Sequence, residues 1–108
     1  YYSTLFHEIT HWTGHKSRCD RNLKGNFASN DYAFEELIAE LGASFHMAHY
    51  NLLHETRSDH VHYLKSWAKA LRDKPDSLRS ACKYASQSFF FVRDKAEVIA
   101  SDKAVGDV

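Results

Sequence analysis

The chain has 108 residues, 44% hydrophobic and 26% charged, which suits one globular domain at most and excludes a disordered or low-complexity class. With 14 basic and 14 acidic residues the net charge is zero, so no basic face announces nucleic acid, and no apolar run approaches membrane length. Cys19 and Cys82 show neither metal spacing nor a disulfide framework and read as free thiols in a reducing compartment, the cytoplasm.

The first predicted element is a helix over the opening residues. Tyr2, Leu5, Ile9 and Trp12 recur in it at steps of three and four, an apolar stripe expected to be buried. Gly14 offers its stop by entering the left-handed conformation. Inside it runs His7-Glu8-Ile9-Thr10-His11, a zinc-hydrolase signature. Two imidazoles four residues apart on a helix point the same way and can grip one metal ion, while Glu8 on the flank can take a proton from a water on that metal. The plainer reading is two surface histidines and a solvated glutamate. A metzincin pattern, H-E-x-x-H-x-x-G-x-x-H, would need histidine at position 17, which is Ser17. His15 lies beside the helix end with its ring expected toward solvent, so the third ligand is sought further on.

A second helix follows, with Ser29 or Asn30 as its cap and Phe34, Leu37, Ile38, Leu41 and Phe45 as its apolar stripe. On a helical wheel Glu36 and Glu40 share a strip with Ala33, Ala43 and Met47, whereas Glu35 points elsewhere. Two carboxylates at a core edge are costly unless something positive meets them. Read alone, this is an ordinary amphipathic helix with glutamates at the water's edge. Read with the first helix, Glu36 binds the metal and Glu40, one turn on, accepts the remaining ring N–H of a ligand histidine.

Arg57-Ser58-Asp59 can cap a third helix carrying Val61, Leu64, Trp67, Ala68 and Leu71, and Pro75 suits the first turn of a fourth. Leu78, Ala81, Cys82, Ala85, Phe89 and Val92 form the fourth helix's predicted buried side. Phe89-Phe90-Phe91 is read as core, or as a surface that meets an absent portion of the protein. His46 with His49, and His60 with His62, lack acidic partners at ligand spacing and are read as surface or interfacial histidines. The polar ending Ser101 to Val108 reads as a flexible tail after a domain over residues 1–100.

The stretch Tyr1 to His15, followed by Tyr32-Ala33 and by Glu35 to Ala43, resembles the zincin-like metallopeptidase domain of polyvalent mobile-element proteins. That domain is the C-terminal part of ArdC-type antirestriction proteins and of proteins labelled TraC-like DNA primases. The resemblance continues through Tyr63, Trp67 and Leu71 into Ala81 and Ala85, covering residues 1–90; Cys19 and the triple Phe depart from it. It implies a zinc ion on His7, His11 and Glu36, with Glu8 catalytic, and Glu36 with Glu40 matches the spacing of glutamate-ligand zincins. It also implies that single-stranded DNA is contacted only by a separate N-terminal domain.

Zincins place a strand or small sheet before this helix, and the chain opens on Tyr1-Tyr2 almost inside it. The expected fold is therefore mainly α, the helical C-terminal part of a zincin-like α+β domain whose N-terminal sheet is missing from this fragment. The leading function is zinc-dependent peptide hydrolysis in a plasmid or phage antirestriction-type protein, with a protein or peptide substrate and no membrane. The alternative is a non-catalytic domain that zinc stabilises for DNA or protein binding. Tyr32, Tyr63 and His62 remain equal candidates to steady the oxyanion.

Overall fold

The computed structural model describes residues 1–21, 30–52, 72 and 76–106. Among them are three helices and no strand: α1 (Tyr2–Thr13), α2 (Asn30–His49) and α3 (Ser77–Gly106). The mainly α expectation holds. The predicted helix around Trp67, the cap Ser29 and Pro75 lie outside the described residues, as do His60, His62 and Tyr63.

α1 forms where predicted but buries a different face. Ser3, His7, Thr10 and Thr13 are buried, while Tyr2, Leu5 and Trp12 of the predicted apolar stripe are exposed and Ile9 is half-buried. The reason is the partner helix. α2 presents Gly42 and a row of carboxylates, so the facing side of α1 must be narrow and able to pair with charge. Burial of the threonines is tolerable because their hydroxyls are satisfied locally: Thr10 Oγ1 donates to the Phe6 carbonyl at 2.8 Å and Thr13 Oγ1 to that of Thr10 at 2.6 Å.

Gly14 ends α1 in a right-handed conformation (φ −69°, ψ −12°), so the left-handed stop expected there is not used. The reversal falls instead on Asp20, at φ 53°, a region that Asp tolerates better than most residues. Backbone bonds from Cys19 N to Thr13 O (2.7 Å) and from Arg21 N to Gly14 O (2.9 Å) fold the segment back under the helix end.

α2 carries the core as expected. Leu37 and Ile38 pack on Ala81 and Ala85 of α3, with Phe34, Leu41 and Phe45 against them. Ala81, Ala85 and Ser88 recur at steps of four and three, a strip of small side chains that brings α3 close. Leu78, predicted on that side, is exposed. α3 is tied to α1 by Thr13 Oγ1 and Ser88 Oγ at 2.6 Å. Its backbone stays helical beyond residue 100, to Gly106. The three phenylalanines divide: Phe89 packs on the rings of His46 (4.9 Å) and His49 (5.5 Å), Phe91 meets Trp12 at 6.3 Å, and Phe90 is exposed. His46 is interfacial, buried and stacked on Phe6 at 4.7 Å.

Candidate metal centre

The four-residue spacing on α1 turns His7 and His11 toward α2, where Glu36 faces both. His7 Nε2 lies 3.2 Å from Glu36 Oε2, His11 Nε2 lies 2.9 Å from Glu36 Oε1, and the two Nε2 atoms are 3.0 Å apart. Among the described residues these three side chains form the one group able to hold a metal ion, their donor atoms all within 4.8 Å of one another. Two facing ring nitrogens at 3.0 Å cannot both direct a proton along the line between them, yet both can give a lone pair to one cation. Metal–ligand bonds of about 2.0–2.1 Å in tetrahedral array put donors about 3.3 Å apart. The distance between the two Nε2 atoms, and that from each to the nearer oxygen of Glu36, fall at 2.9–3.2 Å, of the same order. Two nitrogens and one carboxylate make a three-donor set, the number of protein ligands typical of a catalytic zinc site, where a closed structural site uses four.

Around the triangle lie two more carboxylates. Glu40 Oε1 is 2.5 Å from His7 Nδ1, at the other ring nitrogen from the one that meets Glu36. Glu35 does not point elsewhere: its Oε2 is 2.8 Å from His11 Nδ1. Each histidine thus has one carboxylate at Nδ1, through a hydrogen bond at His11 and an ion-pair contact at His7, and turns Nε2 to Glu36. The wheel missed Glu35 because its side chain spans the angle to a helix crossing at its flank. Two histidines sharing one metal would need two orienting partners, and α2 supplies three carboxylates, a count that could have found it. Arg21, which grips Glu35 at 2.8 Å, left no such signal in the sequence.

Burial by itself would make both rings less basic. Hydrogen bonds and charge from Glu36 and Glu40 outweigh it at His7, and those from Glu35 and Glu36 do so at His11, raising both to about 9. Burial would likewise push Glu36 up, but His11 and His7 pull it down to about 2; His11 and Arg21 hold Glu35 below the ordinary carboxylate range against the same burial. The pocket is therefore built for positive charge, which protons or a metal ion can supply.

Glu8 is exposed beside buried His7, on the open side of α1. His15 is exposed, its Nδ1 2.8 Å from Ser17 Oγ in the turn, outside the cluster. Tyr32 is half-buried on α2, one turn before Glu36.

Residues 1–84 match the family described as zincin-like metallopeptidase. The chain is 42% identical over 87 residues to the uncharacterized protein y4eC of Sinorhizobium fredii, covering 81% of this chain and 28% of that protein. It is 45% identical over 75 residues to a DNA primase TraC of Escherichia coli, covering 69% of this chain and 5% of that one. The crystal structure of the antirestriction protein ArdC from plasmid R388, in its Mn(II)-bound form, is similar at a TM-score of 0.78 and 40% identity, over 89% of this chain and 36% of ArdC. The chain spans less than a third of either curated relative and little more than a third of the solved one.

Proposed function

The chain belongs to the zincin-like metallopeptidase family, and on that premise we propose that it holds a zinc ion on His7, His11 and Glu36 and hydrolyses peptide bonds. The observation that carries the reading is the triangle of donors, with an exposed carboxylate, Glu8, placed between the two histidines in sequence. The solved relative carries Mn(II), which speaks for a divalent ion; the two imidazoles favour zinc over manganese, which prefers oxygen donors. Bound there, the ion supplies Lewis acidity and lowers the pKa of a water from about 15.7 toward about 7.

The chain's own residues do the rest. Glu8, exposed on α1, takes the proton of the attacking water and passes it to the leaving amine. Glu35 keeps the His11 ring aimed through its hydrogen bond at Nδ1, and Glu40 lies at the Nδ1 of His7 as its ion-pair partner. The setting is a larger antirestriction-type protein of a mobile element, acting on a protein or peptide in the cytoplasm of the cell that receives the element. Contact with single-stranded DNA belongs to another part of that protein.

Glu8→Gln tests the reading. It keeps size and helix and removes the base, so the zinc-loaded variant should keep its metal and fold and lose turnover by several powers of ten. The comparison belongs in the complete protein, scoring new peptide termini alongside protection of incoming DNA from restriction. Protection unchanged by Glu8→Gln, with no new termini from the wild type, would leave a metal-stabilised binding domain.

A further inference from the structure

We infer that Arg21 is a positioning residue for the metal centre: through Glu35 it locks the His11 ring with Nδ1–H turned away from the centre and Nε2 turned into it. The inference rests on the metal reading for its purpose, and on the hydrogen bonds for its geometry. The Arg21 side chain is 4% exposed and its guanidinium makes four bonds. Nε donates to Glu35 Oε1 at 2.8 Å and one terminal nitrogen to Oε2 at 3.2 Å, a fork that grips both carboxylate oxygens. The same terminal nitrogen donates to the Thr10 carbonyl at 2.6 Å, and the other to Thr13 Oγ1 at 2.9 Å. The cation thus sits among the last carbonyls of α1, where the helix favours positive charge.

Two effects follow for His11. With both oxygens gripped, Glu35 Oε2 keeps a lone pair directed at His11 Nδ1, 2.8 Å away, which sets the ring's tautomer and its rotation together. The grip also keeps Glu35 from the centre. It adjoins Glu36 in sequence, and a freed carboxylate there could swing toward the ion and displace the His11 interaction. Arg21 reaches this place only because the chain reverses at Asp20 (φ 53°) and ties Arg21 N to Gly14 O at 2.9 Å. Lysine, a point charge, cannot make the fork.

The test uses the whole chain, with Arg21→Met, Arg21→Lys, Glu35→Gln and the Arg21→Met/Glu35→Gln double variant. In metal-free protein, NMR of the ring protons should show a slowly exchanging His11 Nδ1–H that Arg21→Met loses to exchange, while exchange of the His7 ring protons is unchanged. Loosening of the fold as such would affect both rings. Zinc affinity should fall about 10- to 100-fold in Arg21→Met and less in Arg21→Lys. Because Arg21 acts through Glu35, the double variant should bind zinc no more weakly than Glu35→Gln alone. An unchanged His11 ring proton in Arg21→Met, or losses that add in the double variant, would overturn the inference. Where Arg21→Met does not fold, faster exchange of the His11 proton in Arg21→Lys decides in its favour and unchanged exchange against it. If the wild type takes up no zinc, the metal reading falls, and the ring-proton comparison still decides the role of Arg21.

Discussion

Thr10 fills the space a β-carbon would take on Gly42: such an atom would lie 2.5 Å from Thr10 Oγ1 and 2.7 Å from its Cγ2. α1 and α2 are therefore in tight contact at this pair, between His7 and His11 on one helix and just past Glu40 on the other. The close contact lets the carboxylates of α2 reach both imidazoles, so the packing of two small residues supports the candidate metal centre.

Gly42→Ala should destabilise the fold. In an open helix the change would gain about 1 kcal/mol from helix propensity. Here the new methyl meets a fully buried, β-branched side chain, and overpacking of this kind costs about 1–3 kcal/mol. Denaturant midpoints should show a net loss, and Thr10→Ala in the same chain should recover part of it. A neutral or stabilising Gly42→Ala would mean that the helices separate easily at this point.

Zinc binding should divide the site residues into two groups. His7→Ala, His11→Ala and Glu36→Ala remove donors and should each abolish stoichiometric uptake, whereas Glu40→Gln, which leaves the donors and alters only the partner of His7 Nδ1, should lower affinity about 10- to 100-fold. Equilibrium dialysis against a zinc indicator reads both. Loss in Glu40→Gln as complete as in His7→Ala would make Glu40 a ligand. Zinc retained by Glu36→Ala and lost by His15→Ala would move the third donor.

Stability of the metal-free protein should peak near pH 6.5. The His46 ring, pushed down to about 4 by burial and by the charge of His49, binds its proton later than in the unfolded chain at 6.5. Stability therefore falls as pH drops between those values, by as much as about 3 kcal/mol. His7 and His11 act in the opposite sense: raised to about 9, they stabilise fully below 6.5, and the contribution is lost as pH rises through about 9. Glu36, lowered to about 2, matters only further down, its contribution being complete above 4.5 and lost as pH falls through about 2. Denaturation between pH 4 and 10 should trace a bell whose acid limb flattens in His46→Phe. An acid limb identical in that variant would acquit His46.

Zinc should erase the alkaline limb of that bell, because the ion takes the same lone pairs the protons hold. At neutral pH, binding should release more than one proton per ion, read by calorimetry in buffers of different ionisation enthalpy. Release near zero would show that the two rings are already neutral in the metal-free protein.

What could be read along the chain was whatever depends on neighbours within one helix. The four-residue steps from His7 to His11 and from Glu36 to Glu40 are properties of helical geometry, so each pair was legible as sharing one face before any fold was known, while the meeting of Glu36 with both rings and of Glu40 with His7 is a contact between helices. The apolar stripe of α2 was legible for the same reason, since its residues pack as a row on Ala81 and Ala85. The buried face of α1 was not. Hydrophobic periodicity points to Tyr2, Leu5 and Trp12, yet the face that is covered belongs to Ser3, His7, Thr10 and Thr13, because Gly42 and the carboxylates of α2 cross there. Glu35 and Arg21 escaped for a related reason. Their meeting at His11 depends on the crossing of α2 over α1 and on a chain reversal at Asp20, and neither is encoded in the spacing of the residues that finally touch. Local periodicity sets which side chains share a face; which face is covered, and by whom, is set by contacts between segments distant in the chain.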